Sequence, residues 1–179
     1  IAVRGGQLAD HIDEQLGLWR ARKVNLVAHS QGGLDSRYAL SSLGYGDRVA
    51  ALVTISTPHQ GTPLTDVALG ILPGASEQIL ATLLNLVGAG AGQQSDAMAS
   101  FEDLSEAHVQ DEFNPENPDV EGVYYESWAG RTCLLGITCG DICDAPIQPT
   151  FNLLTALRGA NDGIVPVESA KWGEYRGEI

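Results

Sequence analysis

A chain of 179 residues is long enough for one domain with a sizeable core, and 44% hydrophobic against 18% charged residues places it among globular rather than disordered sequences. With 23 acidic and 10 basic residues the formal charge is −13, which repels nucleic acid and anionic membrane surfaces and leaves neutral substrates unpenalised.

Leu8, Ile12, Leu16 and Trp19 recur at helical spacing, so residues 7–21 are expected to form an amphipathic helix. Arg20 to Lys23 then feed Val24 to Val27, whose β-branched and apolar content predicts a buried parallel strand. The strand stops at Ala28-His29-Ser30-Gln31-Gly32. This fits the small-x-Ser-x-small pattern of a nucleophile elbow, where the chain reverses so sharply that bulky side chains two positions either side of the serine would collide. Leu34 to Leu43 reads as the helix that follows, closing at Gly44. Its N-terminus would aim free N–H groups and the positive dipole end at Ser30 Oγ, with the Gln31 N–H as one oxyanion donor. The plain alternative is a capping serine in a glycine-rich turn.

Ala51 to Ser56 predicts a second buried strand, and strand, helix, strand at this spacing is a crossover of a parallel sheet covered by helices. Residues 62–118 read as an insertion above that sheet. Gln78 to Ser95 carries no charge, and Ile79, Leu80, Leu83, Leu84 and Val87 share one helical face, with Leu86 beside it. Thr82, Asn85 and Gly88, Gly90 and Gly92 interrupt the run too often for a membrane span. Two readings remain: a core helix, or a mobile lid hinged at those glycines whose apolar face covers the active site in water and meets lipid when open. Residues 123–129 form a third strand by their aromatic content. No internal repeat is present.

Cys133, Cys139 and Cys143 are clustered, which suits one local disulfide plus a further thiol, or an incomplete metal site. With no Cys-x-x-Cys pair and no nearby histidine, zinc is disfavoured, and Cys133 with Cys139 is the expected pair, implying an oxidising compartment. Asn161-Asp162-Gly163 is foremost a turn signal. Its position in a loop well downstream of the elbow makes Asp162 the best triad acid, ahead of Asp35 inside the elbow helix and Asp119 before the third strand. On this scaffold the histidine follows the acid, yet His11, His29, His59 and His108 all precede Asp162. His29 is expected to pack beside the elbow and His108 to lie on the surface. The chain begins at Ile1 and ends at Ile179 in a charged stretch, so it is expected to be an internal piece of a longer protein, a single partial domain inactive by itself.

Val24-Asn-Leu-Val-Ala-His-Ser-Gln-Gly-Gly33, Ile55-Ser-Thr-Pro-His-Gln-Gly-Thr62, Gly122-Val-Tyr-Tyr-Glu-Ser-Trp128 and Gly159-Ala-Asn-Asp-Gly-Ile-Val165 resemble, in that order, true bacterial triacylglycerol lipases of the Pseudomonas and Burkholderia type. The resemblance implies an α/β-hydrolase fold, a mostly parallel sheet flanked by helices with residues 62–118 as helical lid. It implies Ser30 as nucleophile, Asp162 as acid, a histidine shortly beyond Ile179 as base, and an oxyanion loop preceding Ile1. His59 would support the floor of the site. It also implies a structural calcium, for which Asp141 and Asp144 are the upstream candidates, Asp144 preferred, and in some members a folding chaperone. Ala28 replaces the commoner glycine, and the local cysteine cluster departs from the long-loop disulfide of the family.

The expectation is therefore a secreted serine ester hydrolase acting on lipid esters at an oil–water interface, without an organic cofactor, nucleic-acid partner or membrane span. The alternatives are a short-chain carboxylesterase, an acyltransferase, or a non-catalytic binding protein should no histidine follow residue 179.

Overall fold

Four parallel strands, hydrogen-bonded in the order β1-β2-β3-β4, carry the rest of the molecule. The computed structural model describes residues 1–73, 76–86, 94–133 and 143–179. Helix α1 (Ala2–Trp19) leads into β1 (Val24–His29), α2 (Gly32–Ser41) and β2 (Val49–Ile55). Between β2 and β3 (Tyr124–Ala129) lie α3 (Pro63–Ala68), α4 (Glu77–Leu86), α5 (Gln94–Leu104), a π-helical turn (His108–Phe113) and α6 (Asn114–Glu116). Helices α7 (Gln148–Arg158) and α8 (Val167–Ala170) then precede β4 (Glu174–Glu178).

Helix α1 starts earlier than the expected residue 7 because Gly5 makes a contact instead of a break. A Cβ there would stand 2.6 Å from Tyr38 Cδ1 and 3.1 Å from the Asp35 carbonyl oxygen, so the glycine lets α1 lie close against α2. The helix ends where Arg20 turns left-handed, φ 50°, and its N–H reaches the Gly17 and Leu16 carbonyls. Ile12 and Leu40 from the two helices meet Leu52 and Tyr125 from the sheet in one apolar cluster.

Strand β1 is not buried on both faces as its composition suggested. Val24, Leu26 and Ala28 face the helices, while Asn25, Val27 and His29 point outward and Val27 is 70% exposed. Among the described residues β1 pairs along one edge only, with β2. The charged Glu174-Tyr-Arg-Gly-Glu178 stretch, which carries no apolar run, is a strand because β3 supplies a backbone ladder at its edge.

The connection between β2 and β3 closes over the carboxyl ends of the strands. Leu64 (α3), Ile79 and Leu83 (α4), Phe101 (α5) and Leu154 (α7) form a second apolar cluster. Gly88, Gly90 and Gly92 lie outside the described residues.

The two uses of glycine in α1 can be separated by mutation. A Cβ added at Gly6 or Gly17 would meet no atom within 4 Å, whereas one at Gly5 would meet Tyr38 at 2.6 Å. Gly6→Ala and Gly17→Ala should each raise stability by up to about 1 kcal/mol through helix propensity, and Gly5→Ala should lower it by about 1–3 kcal/mol through overpacking. Thermal or urea unfolding of the three variants checks this.

Candidate active site

The chain leaves β1 through a tight turn in which Ser30 adopts φ 53°. That left-handed conformation costs an L-residue roughly 1–2 kcal/mol and persists only where neighbours determine it. Here the Ser30 N–H donates to the Ile55 carbonyl at 2.9 Å. The Ser30 carbonyl accepts from Thr57 Oγ1 at 2.8 Å and from the Gly33 N–H at 3.1 Å. A Cβ on Gly32 would sit 3.9 Å from Ala28 Cβ, ordinary van der Waals contact, so methyl-sized groups fit across the turn. Ala28 in place of glycine is tolerated for that reason. Leu34 and Asp35 N–H bond back to the Gln31 carbonyl, and among the described residues the Gln31 N–H has no acceptor, as is usual for the first donors of a helix. A hydroxyl beside such donors sits where developing negative charge is stabilised.

Asp162 lies in the loop joining α7 to α8. Its Oδ1 accepts the Ile164 N–H at 2.9 Å and the Val165 N–H at 2.7 Å. Oδ2 lies over Gly130, whose missing Cβ would stand 3.0 Å away, so glycine at the end of β3 leaves room for the carboxylate. Asn161 pins the loop from beneath. It is fully buried, accepts the Gly163 N–H at 2.8 Å, and donates to Thr155 Oγ1 at 3.1 Å and the Gly159 carbonyl at 2.8 Å. Asn161-Asp162-Gly163 is thus the turn that its composition predicts, with one carboxylate oxygen tied to backbone and the other turned away from those bonds.

Ser30, Gln31 and Asp162 line one cavity of about 650 Å³. Leu83, Phe101, Leu104, Ile164 and Val165 form its apolar walls, and His29 also borders it. Arg4 and Asp35 also line it, as a pair that the sequence does not show. Arg4 Nε donates to Asp35 Oδ2 at 2.9 Å, joining α1 to α2 beside Ser30. Burial pushes the Asp35 carboxyl above its ordinary value, and the hydrogen bond and charge of Arg4 pull it back down. Sequence presents Asp35 only as a rival acid, because its partner is one helix away. Asp119, the other rival acid, accepts from Trp172 Nε1 at 2.8 Å and does not line the cavity.

Cys133 is disulfide-bonded, and Cys139 lies outside the described residues. Asp144 is exposed ahead of a 3-10 turn, while Asp141 lies outside the described residues. Among the described residues no three His, Cys, Asp or Glu side chains gather as a metal site. Of the two candidate calcium ligands, Asp144 alone lies among the described residues.

Behind the turn, Arg37 on α2 is buried, and among the described residues no carboxylate is bonded to it. Its guanidinium donates to Asn114 Oδ1 at 2.7 Å and the Asn117 carbonyl at 2.9 Å, and lies 3.7 Å from the Trp172 ring centroid. Burial lowers its pKa to about 10, so it remains a cation at neutral pH. His59 is fully buried, stacks on Trp172 at 5.3 Å, and its Nε2 lies 3.0 Å from Thr54 Oγ1. Burial first, and then Arg37, hold its pKa well below the ordinary 6.5. His108 is partly exposed and pairs with Glu112, one helical turn away.

A parallel sheet with helices over one face, and a serine turn sharing a cavity with a loop carboxylate, define an α/β scaffold of the hydrolase kind. The chain matches the alpha/beta hydrolase fold family over residues 6–170 and belongs to it. It is 30% identical to a triacylglycerol lipase of Vibrio cholerae over 96% of its length, and 36% identical to one of Burkholderia plantarii over 59%. It spans 59% of the first protein and 31% of the second. Among solved structures, the mature form of Bacillus licheniformis lipase BlEst2 superposes with a TM-score of 0.74 at 23% identity, covering 98% of this chain and 64% of that one. A metagenomic carboxyl esterase superposes with a TM-score of 0.67 at 21% identity, covering 87% of this chain and 43% of that one.

His59 makes stability pH-dependent with a defined sign. Its folded pKa is depressed, so the unfolded chain binds the extra proton, and the stability present above pH 6.5 is lost as the pH falls below that value. The contribution of this one group should approach a slope of about 1.4 kcal/mol per pH unit below that point. Urea unfolding between pH 7.5 and 5 measures it, and His59→Gln should flatten that part of the profile while lowering stability at neutral pH.

Proposed function

We propose that the native protein carrying this chain is a carboxylic ester hydrolase of the lipase type that works through an acyl-enzyme on Ser30. The observation that carries the reading is the left-handed serine turn at a helix N-terminus sharing one cavity with Asp162. In this reading Ser30 sits in a nucleophile elbow, and its Oγ bonds to the acyl carbon as a histidine takes its proton. The histidine returns that proton to the leaving alkoxide, and water then releases the acid by the reverse route. Gln31 N–H binds the tetrahedral oxyanion. Asp162 Oδ2, free of the backbone bonds that hold Oδ1, orients and charge-stabilises the histidine. The base is assigned to a histidine following Ile179 in the native protein, because the triad order on this scaffold puts it after the acid.

Triacylglycerol is the proposed substrate class, supported by the relatives' names and by the apolar cavity walls. Residues 62–118 are proposed as the lid: Leu83 and Phe101 now bury their apolar surface over the cavity, and opening would offer that surface to lipid. The disulfide at Cys133 favours an extracytoplasmic location.

Two measurements on the native protein test these proposals. Ser30→Ala should cut kcat by about 10⁶-fold and Asp162→Asn by about 10⁴-fold, both without unfolding, because one removes the covalent bond and the other only the orienting charge. Equal, small losses would contradict the roles assigned. For the lid, the rate on a short-chain triglyceride should rise several-fold as substrate passes its solubility limit. A smooth saturation curve through that limit would instead favour a soluble-ester esterase with residues 78–92 as fixed core.

A further inference from the structure

The dipeptide Ser56-Thr57 at the end of β2 touches both halves of the candidate site. Ser56, itself left-handed at φ 49°, accepts the Gly130 N–H on its Oγ at 2.9 Å, next to the Asp162 carboxylate. Thr57 is fully buried, and its hydroxyl donates to the Ser30 carbonyl at 2.8 Å. The approach of Thr57 depends on Gly33, since a Cβ there would stand 2.2 Å from Thr57 Oγ1 and 2.5 Å from its Cγ2.

We propose that Thr57 is a positioning residue for the oxyanion donor. The proposal rests on the reading of Ser30 as nucleophile and of the Gln31 N–H as donor. The Ser30 carbonyl and the Gln31 N–H belong to one peptide group, and the described chain contains no cis peptide. A planar trans peptide points its C=O and N–H in opposite directions, so a bond that fixes the oxygen also fixes the direction of the N–H. The strained φ of Ser30 gives this peptide an incentive to rotate. The Gly33 N–H bond, at 3.1 Å, is the longer of the two that oppose the rotation. The Thr57 hydroxyl is the shorter one and comes from a neighbouring strand end, outside the helix that the peptide itself begins. Donation to the carbonyl also polarises the amide, which strengthens its N–H as a donor. The specific chemistry assigned to Thr57 is therefore alignment of an N–H with a tetrahedral oxyanion, exerted through the peptide and without contact with substrate.

Thr57→Val keeps the shape and removes the hydroxyl, Thr57→Ala removes hydroxyl and methyl together, and Thr57→Ser keeps the hydroxyl alone. Each is measured in the native protein for kcat and KM on a soluble ester and for inhibition by a trifluoromethyl ketone, which forms a tetrahedral oxyanion adduct on the serine. Loss of a whole oxyanion donor costs about 10²–10³-fold, so misalignment in Thr57→Val should lower kcat by about tenfold or more within that bound, with KM within about twofold. Ketone affinity should weaken by the same factor, Thr57→Ala should match Thr57→Val, and Thr57→Ser should restore both readouts to within about threefold. Should the valine variant not fold, the alanine and serine pair decides alone. The proposal is overturned if the variants lacking the hydroxyl keep kcat and ketone affinity within about twofold, or if Thr57→Ser is as impaired as they are. Ser30→Ala run alongside separates the premise: substantial activity in it would overturn the nucleophile reading itself, whatever Thr57 does.

Discussion

The carboxyl ends of three adjacent parallel strands stop at one level, and the backbone there is stitched sideways. Ser30 N–H bonds the Ile55 carbonyl and Ser56 N–H bonds the Trp128 carbonyl, both at 2.9 Å, while Gly130 N–H reaches Ser56 Oγ. The ends of β2 and β3 therefore each hold the first loop residue of the preceding strand. Both non-glycine residues that turn left-handed at these ends, Ser30 and Ser56, are secured by such bonds, so the conformational cost at each is met by a contact that also sets the spacing between strands. The serine turn, the Ser56-Thr57 segment and the Asp162 loop over Gly130 converge because the parallel register brings them side by side.

Around that frame the chain concentrates polar groups in places where burial makes them directional. Arg37 ties α2 to Asn114 and Asn117 at the end of the connection between β2 and β3, and to Trp172 at the approach to β4. A buried cation without a bonded carboxylate is costly, and its hydrogen bonds and the indole face are what offset the lost hydration. One side chain thus couples three segments of the chain. Asn161 does the same locally for the Asp162 loop.

The parts legible in sequence are those governed by short-range rules. Strand, serine turn and helix between residues 24 and 43 follow from apolar content, small flanking residues and a glycine stop, and Asn161-Asp162-Gly163 announces its turn. Illegible are the features decided by partners distant in sequence. The start of α1 ahead of residue 7 depends on Gly5 against Tyr38, and β4 is only a charged stretch until β3 supplies its ladder. The outward face of β1, left uncovered by the described helices, is likewise decided by packing that composition does not report. Arg4 with Asp35, and Thr57 with the Ser30 carbonyl, join residues whose separation hides the pairing. Gly33 is visible as part of a glycine-rich turn, but its purpose, admitting Thr57, belongs to the packing of β2 against α2.

The central claim is that this strand-end frame serves to hold a reactive serine. Reaction of the native protein with a fluorophosphonate ester, followed by peptide mapping, tests it most directly, because only an activated serine displaces the fluoride at a useful rate. The account predicts stoichiometric phosphonylation of Ser30, with ester hydrolysis lost in proportion to labelling. Hydrolysis that survives complete exposure to the reagent with Ser30 unmodified, or a label carried by another serine with Ser30 untouched, would contradict it.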